Sequence, residues 1–376
     1  MGGFGVIQRW KIARELDRTA QQLKAIAGLF WEPFVQWDYD RKRSTRLKIT
    51  PGDRPLRDKV LIYLIFQPGN ILNSTIETCE LFEEQGYSTL IVSNTPLTAE
   101  SLSRLGEVSW QVMERPNYGY DFGGYRDGIL YLTNAGISPN WLMVMNDSIW
   151  CPLRVAGSLV RRLENSGLDV SGTVVHRNFH KTLMRRRTTR VIESYLFLFS
   201  AKAIQSQAFR SFWLNYRMSS IKYNAVHRGE RQVAETMLAA GLTADGLFGR
   251  EEFLTLIGRK EPEYLKKALQ YSNSTTVAFE ASRKTLLEGF SDTQEWRDLA
   301  LAHVKTVTGK HSFLASFPFV AAGELKVPLI KRTSATLQVM ARNSVVAAIR
   351  NGDLLPFRES VMSEMTASEP TSETGA

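Results

Sequence analysis

Two short stretches concentrate the polar chemistry of this chain. Residues 117–128 read NYGYDFGGYRDG, and residues 141–148 read WLMVMNDS. In the first, Gly119, Gly123 and Gly124 allow a sharp backbone turn and the close approach of a ligand. A helix starting near Gly123 would point free amides at a phosphate. Arg115 and Arg126 are suited to pairing with a diphosphate, and Asp121 to accepting hydrogen bonds from sugar hydroxyls. In the second stretch an apolar run ends on Asn146, Asp147 and Ser148. A carboxylate there would hold a divalent cation, Mg²⁺ or Mn²⁺, against a diphosphate, because Mg²⁺ takes one or two carboxylates plus substrate oxygens. Each stretch also has a purely structural reading. The first would be a tight strand-to-helix turn with packing aromatics, the second an N-cap. The glycines do not form a dinucleotide fingerprint: their spacing is wrong, and they follow the third strand rather than the first.

The elements that must position these residues follow from the hydrophobic pattern. VLIYLIFQ (60–67) is a continuous apolar run, as in a strand buried on both faces. Residues 71–86 have helical spacing and end at a glycine. The pattern then predicts strands over 87–94, 108–115 and 141–147, separated by helices over 97–106 and 121–136. Such alternation predicts an α/β fold with a mostly parallel central sheet flanked by helices. In open parallel sheets ligands bind beyond the carboxyl ends of the strands. Gln67, Asn94, the 117–126 cluster and Asn146–Ser148 each follow a predicted strand end, so all four are expected along one crevice. Further on, helices are predicted over 152–167, 201–216 and 230–241, and strands over 169–175 and 191–200. The basic run HKTLMRRRTTR (180–190) reads as a solvated loop, with His176 and His180 as loop residues. RKRSTRLK (41–48) reads as a solvated linker. The Ser/Thr/Glu-rich stretch after Pro356 reads as disordered.

Composition narrows the function classes. The 376 residues are 43% hydrophobic and carry a formal charge of +9, so the chain is globular and suited to anionic partners. The two cysteines, Cys79 and Cys151, lack metal-ligand spacing and suggest a reducing compartment. No apolar run approaches the roughly 18 residues of a membrane span, and no signal peptide is evident, so a cytoplasmic protein is expected. Residues 10–30 have the spacing of a helix that packs on its own domain. As an alternative, Trp10, Phe30, Trp31 and Phe34 with nearby basic residues suit a membrane surface, giving a peripheral contact at the inner face. Nucleic-acid binding is not favoured: Tyr118, Tyr120, Phe122 and Tyr125 imitate a stacking platform but sit in a glycine turn at a strand end.

RPNYGYDFGGYRDGI, WLMVMNDSIWCPL and VIESYLFLFSAKAIQSQAFRSFW together resemble the rhamnan synthesis protein F family of bacterial polysaccharide glycosyltransferases. The matching features are an Arg-x-Asn-x-Gly-x-Asp-Phe-Gly segment, an Asn-Asp-Ser after an apolar strand, and a Ser-Tyr strand followed by a helix ending in Phe-Trp. HSFLASFPFVAAGELKVPLIKR (311–332) resembles the family's closing Pro-x-Ile-Lys-Arg segment. The resemblance spans roughly residues 58–335. It implies a GT-A-like nucleotide-sugar domain there, preceded by a helix and basic linker (1–57) and followed by a helix and tail (336–376). It also implies an inverting hexosyltransferase that moves a sugar, often rhamnose from dTDP-rhamnose, to a cell-surface polysaccharide (such as lipopolysaccharide) or a lipid-linked acceptor. Asn146-Asp147-Ser148 would stand in for the usual Asp-x-Asp metal motif, with His311 as a candidate second ligand. Inversion needs a carboxylate within hydrogen-bond reach of the acceptor hydroxyl. Glu230, expected to open a helix, is the first candidate base and Glu193 the second. The alternative is a non-catalytic binding or scaffold module that keeps the donor crevice without turnover.

Overall fold

The computed structural model describes residues 31–181 and 186–367. The helix expected over 10–30 lies outside them. Among the described residues the strands are β1 (Lys48–Pro51), β2 (Lys59–Ile65), β3 (Tyr87–Ser93), β4 (Gln111–Glu114), β5 (Trp141–Asn146), β6 (Ile149–Trp150), β7 (Val170–Lys181), β8 (Arg186–Ile192), β9 (Leu196–Ser200), β10 (Ala244–Phe248) and β11 (Ile330–Lys331). Nine of them form one sheet in the order β1-β4-β3-β2-β5-β9-β7-β10, with β8 paired to β7; β6 and β11 form a separate ribbon.

The sheet is parallel where the sequence alternates strand and helix, across β4-β3-β2-β5. Beyond β5 it is mixed: β9 runs antiparallel to both β5 and β7, β8 is antiparallel to β7, and β10 is parallel to β7. The expectation of a mostly parallel sheet therefore holds for this half only. β2 lies at the centre, and its two faces divide the core. Leu61, Tyr63 and Ile65 face the layer containing Cys79, Phe82 and Leu105, while Val60, Ile62 and Leu64 face Phe122, Tyr125, Ile129 and Trp213. The period-2 alternation of side chains makes one apolar run serve both layers.

Chain order reverses beside β2: β3 and β4 lie on one side and β5 on the other. That makes the carboxyl ends of β2 and β5 the topological switch point, where open α/β sheets take ligands.

Several sequence expectations change. The segment 41–48 is not a free linker: Arg43–Arg46 is helical, and β1 pairs antiparallel with β4. The basic run 180–190 is not an irregular loop; most of it belongs to the β7–β8 hairpin, and residues 182–185 lie outside the described residues. The predicted strand 191–200 is broken at Glu193–Tyr195, between β8 and β9. The predicted helix 201–216 is two helices, Ala201–Gln205 and Gln207–Asn215, divided where the Ser206 side chain caps the second. Residues after Pro356 were expected to be disordered, yet Glu359–Ala367 is a docked helix. Its Val361 and Met365 join the core, and Glu364 accepts hydrogen bonds from the Ser74 hydroxyl at 2.6 Å and the Trp150 indole at 2.8 Å. Compositional bias missed it because only a few apolar residues carry the docking face.

Candidate active site

The switch point is occupied by Asp147. Its amide donates to the carbonyl of Leu64 at 3.0 Å, fixing the residue at the end of β2 as well as β5. Its Oδ2 accepts from the Phe66 amide at 3.0 Å and from Gln67 Nε2 at 2.9 Å. Gln67 is itself held, donating to Thr75 Oγ1 at 2.8 Å and accepting from the Leu72 amide at 3.0 Å. Asn146 Nδ2 donates to Asp121 Oδ2 at 2.9 Å, and Asn146 Oδ1 accepts from the Ser148 hydroxyl at 2.6 Å. Asp121 and Asn146–Ser148, 25 residues apart and expected on one crevice, are thus in direct contact.

Asp121 sits in the first turn of the helix Tyr120–Asn134, which starts three residues earlier than expected from the glycines. Burial, and then the negative charge of Asp147, push its carboxyl up to about 6. A carboxylate held ionised against both is a cost to the fold. Below about pH 4 the group is protonated in folded and unfolded chains alike and costs nothing. As pH rises from 3.8 to about 6 the unfolded chain loses the proton first, so this group's contribution to stability falls and stays low above that window. Asp121→Asn is therefore expected to stabilise the protein at pH 7 by about 1–3 kcal/mol, at about 1.4 kcal/mol per pKa unit. Paired denaturant titrations would show the gap between variant and wild type opening from pH 4 to 6 and constant above. A variant no more stable than wild type at pH 7 would contradict this.

Of the two tasks expected of the glycines, the structure shows the sharp turn and close packing within the protein. Gly119 caps the helix at φ +86°, a conformation suited to glycine. A Cβ at Gly123 would stand 2.1 Å from the carbonyl oxygen of Tyr118, and one at Gly124 would stand 2.3 Å from Leu64 Cδ1. These glycines let the helix close onto its own turn and onto β2. The Gly123 amide is already bonded to the Gly119 carbonyl at 2.9 Å, so it is not free for a phosphate.

Nor do Arg115 and Arg126 match the diphosphate expectation. Arg115 is fully buried: Nε donates to Asp127 Oδ2 at 2.7 Å, Nη1 to Asn94 Oδ1 at 2.5 Å, and Nη2 to the Tyr118 carbonyl at 2.6 Å. Arg126 forks onto Asp40 at 2.6 and 3.0 Å and also donates to the carbonyls of Trp213 and Leu214. Both guanidiniums are used inside the protein, and Asn94 serves the same network. Asn117 stands exposed on the turn. His311 hydrogen-bonds Thr276 at 3.0 Å and packs edge-on against Phe279. That places it in the helical layer, so the expectation that it joins Asp147 in holding a metal finds no support in its contacts.

The cations near Asp147 are ones the sequence reading did not assign. β11 pairs with β6, and the Arg332 amide donates to the Ser148 carbonyl at 2.8 Å. Arg332 Nη1 donates to the Asp147 carbonyl at 2.9 Å and lies 3.8 Å from its carboxylate. The neighbouring Lys331 Nζ is 2.6 Å from Glu193 Oε2. Their only sequence signal was the Lys-Arg pair closing PLIKR, some 185 residues beyond Asp147.

Glu193 and Glu230 meet at the break between β8 and β9, and the structure separates their chemistry. Glu193 is clamped between Lys331 and His176, whose Nε2 is 2.9 Å from Oε1. Burial would raise its carboxyl, but His176 and Lys331 outweigh burial and hold it below the ordinary range. His176, expected in a loop, lies in β7 and is raised by its bond to Glu193. Glu230 lies in the turn between the helices Lys222–Arg228 and Val233–Ala239 rather than opening a helix. Its Oε1 accepts from the Ser194 amide at 3.1 Å. Burial raises its carboxyl; the Ser194 amide pulls it down, and the charge of Glu193 adds to the rise.

Comparison with known proteins shows what the chain is similar to. The model of the family described as rhamnan synthesis protein F matches residues 89–264. The chain is 28% identical to the uncharacterized protein y4gN of Sinorhizobium fredii (strain NBRC 101917 / NGR234) over 344 residues, 91% of this chain and 88% of that one. A solved mannosyltransferase from Pyrobaculum calidifontis, in complex with GDP-Man and Mn²⁺, aligns with 88% of this chain and 99% of its own at 11% identity and a TM-score of 0.32. The segment similar to the rhamnan synthesis protein F family, residues 89–264, includes Asp121, Asp147, Glu193 and Glu230.

Proposed function

We propose that the protein is a glycosyltransferase that takes a nucleotide-sugar donor at the carboxyl ends of β2 and β5, with dTDP-rhamnose the first donor to test and a glycan or lipid-linked hydroxyl as acceptor. The observation that carries this reading is Asp147 at the switch point, in contact with Gln67 and Arg332 and joined to Asp121 through Asn146. The parallel half-sheet ending on an acidic residue suits a GT-A-like layout.

Asp147 and Asp121 fit a divalent cation. They bring two carboxylates to one small region, and the depressed acidity of Asp121 reflects its burial first and the negative charge of Asp147 second. Among the described residues no group of three or more His, Cys, Asp or Glu is placed to hold a metal. The donor set therefore suits an ion that completes its shell with substrate oxygens and water. When bound, such an ion would neutralise charge developing on the departing nucleoside diphosphate. Arg332, a fifth exposed beside Asp147, is the side chain suited to pair with a phosphate oxygen. Gln67 fixes the orientation of Asp147.

Glu230 is the proposed general base. It has no cation bonded to it among the described residues, and its raised carboxyl is a stronger base than an ordinary glutamate. It would take the acceptor's hydroxyl proton as that oxygen attacks the anomeric carbon opposite the leaving diphosphate, giving inversion. Glu193 is engaged on both oxygens and is better suited to holding His176 and Lys331.

The test is thermal shift against a panel of nucleotide sugars, with and without Mg²⁺ or Mn²⁺, followed by a transfer assay with the donor that stabilises. A selective, metal-dependent shift followed by transfer supports the reading. A shift without transfer or donor hydrolysis would mark a binding module instead. Glu230→Gln is expected to lower kcat by about 10²–10⁴-fold with donor affinity within about threefold. The acid limb of the pH profile, displaced above the ordinary carboxylate range in the wild type, is expected to disappear with it. Unchanged turnover would remove Glu230 from the mechanism.

A further inference from the structure

The helical segment 31–41 is packed with its amphipathic faces reversed. Glu32 is buried and bonded to the Ser219 hydroxyl, to Asn224 Nδ2 at 3.2 Å and to Arg228 Nη1 at 2.6 Å. Four residues on, Gln36 donates to the Tyr216 carbonyl at 2.9 Å and accepts from the Met218 amide at 2.9 Å. Tyr39 is buried and donates to Asp127 Oδ2 at 2.6 Å, and Asp40 receives both forks of Arg126. Residues 32, 36, 39 and 40 share one helix face, so the polar face is the one turned inward.

The opposite face carries the apolar residues. Trp31 is 73% exposed, Phe34 69% and Trp37 63%, with Val35 half exposed. Ordinary amphipathic helices bury this face. Here the buried ion pairs and hydrogen bonds fix the rotation of the segment, so collapse cannot hide the aromatics without breaking them. Two tryptophans and a phenylalanine held outward by a polar anchor form a surface that needs a partner.

The surroundings indicate its chemistry. Arg41 lies over the Trp37 ring at 4.9 Å, and Arg41 and Lys42 project on the same side, with side chains 59% and 48% exposed. Asp38 is the acidic residue there and is shared by Arg41, Lys42 and Arg46, leaving a cationic excess. The chain as a whole is at +9. Tryptophan beside Arg and Lys is the composition that settles at the headgroup level of an anionic bilayer, with rings among the acyl boundary and cations on lipid phosphate.

We propose that the outward face of residues 31–42 is a membrane-docking surface for anionic phospholipid. Trp31, Phe34 and Trp37 enter the interface, and Arg41 and Lys42 supply the selectivity for negative charge. The same 216–220 segment that anchors this helix also accepts hydrogen bonds from Tyr120, at the Ser220 carbonyl, and Tyr118, at the Met218 carbonyl. One segment thus holds both the docking helix, by its inward face, and the 117–121 turn. The surface stands independently of the transferase reading.

The test is co-sedimentation of the full chain with phosphatidylcholine vesicles and with vesicles containing phosphatidylglycerol. The wild type is expected to partition at least about tenfold more strongly onto the anionic vesicles, with a blue shift of tryptophan emission and loss of binding at high salt. Trp31→Ser/Phe34→Ser/Trp37→Ser is expected to reduce that partition about tenfold or more at an unchanged melting temperature, because all three side chains are exposed. Arg41→Gln/Lys42→Gln is expected to remove the preference for anionic lipid while leaving weak binding to both. Three results would each overturn the proposal: no binding by the wild type, equal binding by the triple aromatic variant, or a wild-type dimer that the triple variant converts to monomer. The last would assign the face to a second copy of this chain.

Discussion

Asp147→Asn is expected to lower sugar transfer by about 10³-fold, several kcal/mol of transition-state stabilisation, while moving the melting temperature little. The asymmetry follows from where the residue sits. The backbone of Asp147 is fixed by the Leu64 and Arg332 bonds, which the substitution leaves intact. Asparagine can still accept from the Phe66 amide and Gln67 through its oxygen, as Asp147 Oδ2 does now. What it loses is the charge, and charge is what a divalent cation and the adjacent Arg332 respond to. The metal-dependent part of the donor-induced thermal shift is expected to vanish as well. Asp121 should become a stronger acid in this variant, since the charge of Asp147 is, after burial, the next largest cause of its rise. Transfer within about threefold of wild type would show that Asp147 is a strand-end cap and nothing more.

The second large effect concerns stability. Asp127→Ala is expected to cost about 3–5 kcal/mol, the usual result of removing one partner of a buried ion pair. Asp127 is fully buried and accepts from Tyr39, Arg43 and Arg115 at 2.6, 3.1 and 2.7 Å. Its removal leaves the Arg115 guanidinium inside the protein without a counter-charge, unties Tyr39 from the helix Tyr120–Asn134, and leaves Arg43 only its 2.8 Å bond to the backbone carbonyl of residue 127. The network joins segment 31–46, the end of β4, Asn94 after β3 and that helix, so its loss is not local. Urea unfolding at pH 7 would measure it. A cost below about 1 kcal/mol would show that the remaining acceptors around Arg115, Asn94 and the Tyr118 carbonyl, hold the charge unaided. Asp127 drew no attention in the sequence, where it reads as one more polar residue of NYGYDFGGYRDG.

That motif shows how far pattern reading reaches. Hydrophobic periodicity located β2, β3, β4 and β5 to within a few residues. The carboxyl-end rule then placed Gln67, Asn94, Asp121 and Asn146–Ser148 on one edge, and Gln67, Asp121 and Asn146–Ser148 do form one connected cluster. These inferences depend on period and polarity, which are local properties of the chain. The roles of Arg115, Arg126 and the glycines were not legible, because a charged residue looks the same in sequence whether its partners are a ligand or the protein's own Asp127 and Asp40. A glycine likewise does not show whether it admits a ligand or, as at Gly124, the side chain of Leu64.

The sequence by itself determined the strand-helix alternation, the apolar run that feeds both faces of the sheet, and the acidic strand end at Asp147. Tertiary structure decided which cations stand beside that carboxylate: Arg332 arrives through the β6–β11 ribbon from 185 residues away, and Lys331 beside it reaches Glu193. It also separates the surroundings of the two candidate glutamates: only the folded chain brings His176 and Lys331 onto Glu193, while among the described residues no cation is hydrogen-bonded to Glu230. Acidity and availability depend on desolvation and on charges a few ångströms away, and those neighbours are set by packing between segments that no local pattern connects.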